Sequence, residues 1–352
     1  MIESSEIRSR ADRLELEPPR SLPLAKARVI LATLLTAITF PFEYVVSRSR
    51  RYSFGFSWAM FVAMQRAVWS MFPKIGTIDF RNVADAFGAV PKDVDRVVDE
   101  IGGVRVERFG GGGVPGPLLL YFHGGGYVIG SSFTSAPLIE GLVEASGVPV
   151  LYVDYRLAPE HPWPAALDDA FRVYGELVAT RRDPAEIVLV GDSAGGNLCM
   201  QLLHKLKSER LPMPGGAVLI CPWTDLSNTG ESFERNARHD YITLEAVRIA
   251  SAALLRDHDP KDPAVSPLFA DLSGLPPILV QAGELEVLVD QIRAFIDKAK
   301  IDGAQVISTV YEDMIHDWHI FPIGNANRER AFEEIRRFVE STLNGPRPAP
   351  RG

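Results

Sequence analysis

The segment Gly191–Gly196, with the sequence G-D-S-A-G-G, limits what this chain can fold into more than any other feature. It follows the apolar run Ile187–Val190, which is typical of a buried strand, and a helical pattern comes directly after it. A serine with glycines two residues before and two residues after it fits the sharp strand-to-helix turn that lifts a hydroxyl above a sheet edge. Ser193 is therefore a candidate nucleophile.

A second glycine-rich segment, His123–Tyr127 (H-G-G-G-Y), follows another apolar strand pattern. Backbone without Cβ atoms can approach a reacting group closely, and its N–H groups can then stabilise an oxyanion. We expect Gly125 and Gly126 to supply two such donors. The amide of Ala194, at the start of the helix after Ser193, is expected to supply a third from the positive end of the helix dipole.

A third segment, residues 154–169, has the sequence DYRLAPEHPWPAALDD. Together with the two glycine motifs, and in the same order, it resembles the hormone-sensitive-lipase-like esterases, the bacterial family IV carboxylesterases of the α/β-hydrolase superfamily. The resemblance covers residues 80 to 343. It implies an enzyme that hydrolyses small-molecule carboxylic esters of short-to-medium acyl length, with a Ser, acid and His triad and without a cofactor.

The triad acid must follow the serine and precede the histidine along the chain. After the strand pattern 277–281, a loop offers Glu284, Glu286 and Asp290. In similar enzymes the acid is followed by one residue and then Leu, which fits Glu286, although most of those enzymes carry Asp at that position. Asp290 remains the second choice, because its charge equally suits the start of the following helix, and Glu284 remains the third.

Two histidines compete for the role of general base. His316 follows a Met and an apolar residue, as the catalytic histidine does in similar enzymes, but Asp317–Trp318 stands where those enzymes usually have Gly-Phe. His319, followed by Ile320–Phe321, imitates the same pattern and stays open as an alternative. Four other polar residues beside these motifs are interpreted as structural. Arg156, Glu160 and Asp169 are expected to form one polar network, and His123 is expected to brace the glycine loop.

Strand patterns alternate with helical patterns along most of the chain. This alternation predicts an α/β-hydrolase fold, a mainly parallel sheet with helices on both faces. The first two strands are joined by a short glycine-rich loop and are expected to form an antiparallel hairpin. Strands are expected near residues 104–109, 118–122, 148–153, 187–190, 217–220, 278–281 and 306–311.

Two regions fall outside that alternation, residues 1–78 and residues 224–258. We expect both to contribute to a helical cap over a catalytic domain at 79–343, and the Pro-rich tail 344–352 to be disordered. Residues 29–46 are almost continuously apolar, which leaves three interpretations open: a packing helix, a peripheral membrane contact, or a span or signal. A stripe of methionine and alanine at helical spacing follows, formed by Met60, Met64, Ala67 and Met71, and is expected to line the acyl pocket or a membrane surface.

Composition and charge limit the kinds of molecule that this protein could bind. The formal net charge is −8 and no long basic cluster is present, which argues against a nucleic acid. No metal-ligand spacing is found, and the two cysteines favour a reduced, cytoplasmic compartment. The sequence leaves a homodimer open, as it does amide hydrolysis or acyl transfer by the same triad. A non-catalytic receptor of this fold is the remote alternative, since both Ser193 and His316 are retained.

Overall fold

The structure is a computed structural model that describes residues 26–31, 33–35, 56–89, 91, 94–111, 116–180, 182–321 and 326–344. Within the apolar segment 29–46, residues 29–31 and 33–35 are helical, and the rest of that segment lies outside the described residues. Of the tail 344–352, only Asn344 is described. No helix in the described part of the chain is both long enough and apolar enough to cross a membrane.

Eight strands form one sheet. They are β1 (Arg96–Ile101), β2 (Val104–Phe109), β3 (Leu118–Phe122), β4 (Val150–Val153), β5 (Ile187–Asp192), β6 (Gly216–Ile220), β7 (Ile278–Gly283) and β8 (Val306–Tyr311). Their order across the sheet is β1-β2-β4-β3-β5-β6-β7-β8. β2 is antiparallel to both of its neighbours, and the six strands β3 to β8 are parallel to one another.

Helices precede, connect and follow the strands. In chain order they are α1 (Phe56–Trp69), α2 (Phe72–Ile75), α3 (Thr77–Phe87), α4 (Ala136–Ser146), α5 (Ala165–Ala179), α6 (Ala194–Ser208), α7 (Ser232–Arg235), α8 (Leu244–Leu255), α9 (Val289–Ile301) and α10 (Ala326–Asn344). The chain moves across the sheet in opposite directions from β3 to β4 and from β4 to β5. Because such crossovers are right-handed, α4 and α5 lie on opposite faces. α6 packs with α5, and α10 packs with α4.

The sheet confirms the predicted mainly parallel α/β arrangement and corrects it at one edge. All seven predicted strands are present, but β1 was not predicted, because its residues are exposed or half-buried and carry no apolar face. The predicted hairpin between 104–109 and 118–122 is wrong, since β4 lies between β2 and β3. Every residue of β3 is buried, and such a strand needs a neighbour on each side, which β4 and β5 provide.

The two regions outside the alternation meet beside the carboxyl ends of the parallel strands. Trp69 of α1 packs on Tyr241, with ring centroids 5.5 Å apart, and Phe61 packs on Phe321 at 4.7 Å. Both contacts join the N-terminal helices to loops that follow the core strands. These helices therefore lie next to the site formed at that edge of the sheet.

Candidate active site

Ser193 lies on the turn between β5 and α6. Its backbone angles are φ 50° and ψ −114°, a strained conformation for a residue other than glycine. The flanking glycines are required by close approach: a Cβ on Gly191 would lie 2.3 Å from the backbone of Gly195, and one on Gly195 would lie 1.9 Å from the carbonyl oxygen of Phe122. The turn thus takes the form predicted from the G-D-S-A-G-G segment.

His316 lies on the loop after β8 and reaches Ser193 with one ring nitrogen. Its Nε2 is 2.9 Å from the Ser193 hydroxyl oxygen, and its Nδ1 is 2.8 Å from a carboxylate oxygen of Glu286. Glu286 follows β7 and is fully buried, and its other carboxylate oxygen accepts a 2.7 Å hydrogen bond from the backbone N–H of Gly283. The three residues form one continuous chain of hydrogen bonds.

The competing candidates are directed elsewhere. Asp290 is part-exposed, accepts a 2.8 Å hydrogen bond from the backbone N–H of Ser232 and pairs with Arg235, and Glu284 is exposed. His319 is buried, and its Nε2 lies 3.0 Å from the side-chain oxygen of Gln281. None of the side chains of Asp290, Glu284 and His319 makes a hydrogen bond to Ser193.

One residue beside the triad was missed by sequence reasoning. Asp240 is fully buried, and its two carboxylate oxygens accept hydrogen bonds from the backbone N–H groups of Val287 at 2.8 Å and of His316 at 3.2 Å. It therefore ties the loop of the acid to the loop of the base. Burial raises the pKa of Asp240 to about 7. No local motif marks it, because the two loops that it joins are distant from it in sequence.

The predicted oxyanion donors lie around Ser193. Gly125 and Gly126 have φ of 106° and 63°, which favours glycine, and a Cβ on Gly125 would lie 2.2 Å from the carbonyl oxygen of Ile129. Ala194 is the first residue of α6, so its N–H has no acceptor within that helix. Gly125 and Gly126 line the same cavity as Ser193, which agrees with the donor role expected for them.

Beneath the glycine loop, His123 is fully buried and stacked on Tyr155, with ring centroids 4.2 Å apart. The Nδ1 atom of His123 lies 2.6 Å from the carbonyl oxygen of Gly124, and the Tyr155 hydroxyl donates a 2.6 Å hydrogen bond to the backbone carbonyl of His123. Burial lowers the pKa of His123 to about 4, so the ring is neutral near pH 7. These contacts agree with a bracing role.

The polar network predicted around Asp169 forms without one of its expected members. Arg156 donates to Asp169 at 2.9 Å, as expected. Glu160 instead pairs at 2.7 Å with Arg81 of α3, whose side chain also donates a 2.7 Å hydrogen bond to the carbonyl oxygen of Val128 in the glycine loop. Arg81 lies about eighty positions before Glu160, so this long-range pair could not be predicted from the sequence around either residue.

A large apolar cavity opens beside Ser193. Its volume is about 590 Å³, and the helical residues near the N-terminus, the helices α1 to α3 and the segment 241–250 form much of its wall. Of the predicted methionine stripe, only Met64 lines the cavity. The lining residues of α1 are Met64, Gln65, Val68 and Trp69, and across from them lie Tyr241, Ile242, Ala246, Val247 and Ala250.

The charges at the bottom of the cavity are mainly negative. Burial alone would lower the pKa of His316, but the neighbouring Asp317 carboxylate and then Glu286 outweigh it, so its pKa lies well above the usual range. Burial also raises the pKa of Asp192 to about 7, and the charge of Asp317 adds to that effect. The Asp317 carboxylate therefore disfavours a negative charge on the neighbouring Asp192.

One group among the described residues has the spacing of a metal site. A ligand-type atom from each of Cys221, His316 and Asp317 lies within 4.8 Å of the others. Both ring nitrogens of His316 are already bonded, to Ser193 and to Glu286, and burial raises the pKa of the Cys221 thiol well above its usual value. We therefore assign no metal to this group.

Comparison with known proteins agrees with this geometry. Residues 119–320 match a family model described as an α/β-hydrolase fold. An esterase of Acinetobacter venetianus is 37% identical over 243 residues, which cover 68% of this chain and 80% of that protein. An acetyl-hydrolase of Streptomyces hygroscopicus is 37% identical and is matched over 64% of this chain and 76% of its own length.

Solved structures with the same fold carry related descriptions. An esterase from the bacterial hormone-sensitive lipase family superposes with a TM-score of 0.75 at 37% identity, covering 80% of this chain and 97% of that one. A hormone-sensitive lipase from a metagenome library superposes with a TM-score of 0.74 at 30% identity over the same shares. The chain therefore belongs to the hormone-sensitive-lipase-like carboxylesterases of the α/β-hydrolase fold, and it is a carboxylic ester hydrolase.

Proposed function

We propose that this enzyme is a serine carboxylesterase that uses Ser193, His316 and Glu286 as its triad and passes through an acyl-enzyme. The observation that carries the proposal is the unbroken set of contacts from Ser193 through His316 to Glu286, at 2.9 Å and 2.8 Å. All three residues follow parallel core strands; Ser193 and His316 line the apolar cavity, and Glu286 is buried against His316. Amide hydrolysis and acyl transfer have no observation in their favour.

In the first half of the reaction, His316 Nε2 takes the proton of Ser193 while the serine oxygen attacks the ester carbonyl. Glu286 holds the tautomer in which Nδ1 carries a proton, and it stabilises the imidazolium that forms. The negative oxygen of the tetrahedral intermediate accepts hydrogen bonds from the N–H groups of Gly125, Gly126 and Ala194. The imidazolium then protonates the leaving alcohol, and water releases the acyl group by the same steps.

We propose neutral esters with short-to-medium acyl chains as substrates. The cavity is large enough for a small ester, and its wall is apolar apart from a few groups near Ser193. Among the described residues that line it there is no lysine or arginine to pair with an anionic substrate. We further propose that residues 1–78 and 224–258 act as the cap, because described side chains from both regions line the cavity that contains Ser193.

The direct test is labelling with a fluorophosphonate ester, which reacts with activated serines. Incubation of the full-length protein, digestion and mass spectrometry should place one phosphonate on the peptide that contains Ser193. The label should be lost when a short acyl ester competes for the site. A label on a different serine, or a protein that hydrolyses esters but cannot be labelled, would contradict the assignment.

Glu286→Gln is expected to lower kcat by about two to four orders of magnitude. The backbone N–H of Gly283 donates to one oxygen of Glu286, so the glutamine amide will keep its oxygen there and turn its NH₂ group towards His316. Nδ1 must then accept that hydrogen bond, and Nε2 carries the proton and cannot take another from Ser193. Steady-state kinetics with a p-nitrophenyl ester measures the loss.

The matched control for that variant is Asp290→Asn. Asp290 lies four residues further along the chain, at the start of α9, and pairs with Arg235 rather than with a histidine. Its variant should keep kcat close to the wild-type value. If Asp290→Asn were the more damaging of the two, the triad acid would have to be reassigned.

A further inference from the structure

Asp317 places a second carboxylate against the catalytic imidazole. Its backbone is left-handed, with φ 45° and ψ 40°, and its side chain turns back so that one oxygen lies 3.1 Å from Nε2 of His316. Nε2 is the same nitrogen that faces the Ser193 hydroxyl at 2.9 Å. The base therefore has a carboxylate at each ring nitrogen, Glu286 at Nδ1 and Asp317 at Nε2.

The fold itself does not require this carboxylate. The left-handed conformation of Asp317 suits glycine better than a residue with a side chain. The Asp317 side chain is only 6% exposed, and its second oxygen has no hydrogen-bond partner. A buried carboxylate is costly unless a positive partner offsets its desolvation. Among the described residues, the group that pairs with Asp317 and can supply such a charge is protonated His316.

The other acidic groups that face His316 already have hydrogen-bond partners. Glu286 binds Nδ1, and Asp240 accepts hydrogen bonds from the backbone N–H groups of Val287, Tyr241 and His316. Asp192 accepts a 2.6 Å hydrogen bond from the hydroxyl of Tyr121. The remaining neighbours are the Tyr241 ring, with its centroid 6.1 Å away, the Cys221 thiol and the side chain of His319, whose pKa burial lowers well below its usual value.

We propose that Asp317 is a positioning residue that holds a proton on Nε2 of His316 in the resting enzyme, and so sets the pH above which Ser193 becomes reactive. The inference rests on the triad proposed above. In the resting state Nε2–H points at the Asp317 carboxylate. Loss of that proton to solvent leaves a lone pair on Nε2, which can then accept the hydroxyl proton of Ser193.

The direction of the pH effect follows from the charges. An anionic Asp317 favours the protonated imidazole and raises the pKa of His316, so the neutral base appears only at higher pH. Removal of that charge should lower the pKa of His316, because burial then acts with less opposition. Activity at acidic pH should consequently rise when Asp317 is replaced, whereas the alkaline plateau depends on Ser193, His316 and Glu286.

The test compares pH profiles of kcat and kcat/KM for the full-length wild type, Asp317→Asn and Asp317→Gly, with a p-nitrophenyl ester. The acidic limb of both variants should move to lower pH by about 1 to 3 units, the range typical of an opposite charge this close. Asp317→Glu should restore part of the shift, and Asp290→Asn should leave the limb unchanged. Acidic limbs that coincide in the wild type and both Asp317 variants would overturn the proposal.

A second readout does not depend on activity. In Ser193→Ala protein, the low-field proton resonance on Nδ1 of His316 can be followed by NMR as the pH is changed, with and without Asp317→Asn. We expect its midpoint to fall in the double variant, and an unchanged midpoint would refute the role of Asp317. A wild type that neither hydrolyses esters nor takes the phosphonate label would defeat the proposed function instead, while this titration could still be read.

Discussion

Ser193→Ala is expected to lower kcat for short acyl esters by about a millionfold, the size of loss seen when the nucleophile of a catalytic triad is removed. Alanine keeps the Cβ and the strained turn between β5 and α6 but has no oxygen within reach of His316. The acyl-enzyme cannot form, and the remaining rate comes from binding and from the backbone donors alone. Release of p-nitrophenol at saturating substrate measures the effect.

The control for this variant is the folded state. The backbone contacts of the turn, such as the 2.8 Å hydrogen bond from the N–H of Ser193 to the carbonyl oxygen of Ile220, do not involve the hydroxyl. The thermal unfolding midpoint should therefore stay near the wild-type value. A purified variant that remains folded and keeps more than about a hundredth of the wild-type kcat would mean that another group is the nucleophile.

The turn around Ser193 could be predicted from the sequence because its requirements are local. A Cβ at Gly191 or Gly195 would collide with backbone within a few ångströms, and so the glycine spacing itself encodes the geometry. The parallel strands were predictable for a similar reason, since runs of four to six apolar residues are typical of strands buried on both faces. The edge strand β1 lacks that signal because it is largely exposed.

The choice between neighbouring candidates could not be made from the residues alone. Glu286 and Asp290 lie only four residues apart, and only the path of the chain from β7 into α9 turns Glu286 inward while Asp290 meets Ser232 and Arg235. Long-range partners are harder still. Asp240 acts on His316 from 76 positions away, through backbone N–H groups that carry no residue-specific pattern.

His316→Gln is expected to reduce kcat about as strongly as Ser193→Ala, because a triad without its base loses almost the whole effect of the unit. Glutamine can still hydrogen-bond to Glu286, so the loop should keep its position, but an amide cannot accept and return a proton near neutral pH.

His319→Gln provides the matched comparison, since His319 has its Nε2 3.0 Å from the oxygen of Gln281 and a glutamine NH₂ group can donate there instead. That variant also disturbs the packing of His319 on Trp318, whose ring centroids are 4.0 Å apart. We therefore expect it to lower the unfolding free energy by about 1 to 3 kcal/mol while kcat changes little. Measurements of kcat and of the urea unfolding midpoint on the same preparations should therefore distinguish the two variants. Loss of activity in His319→Gln with activity retained in His316→Gln would transfer the role of base to His319.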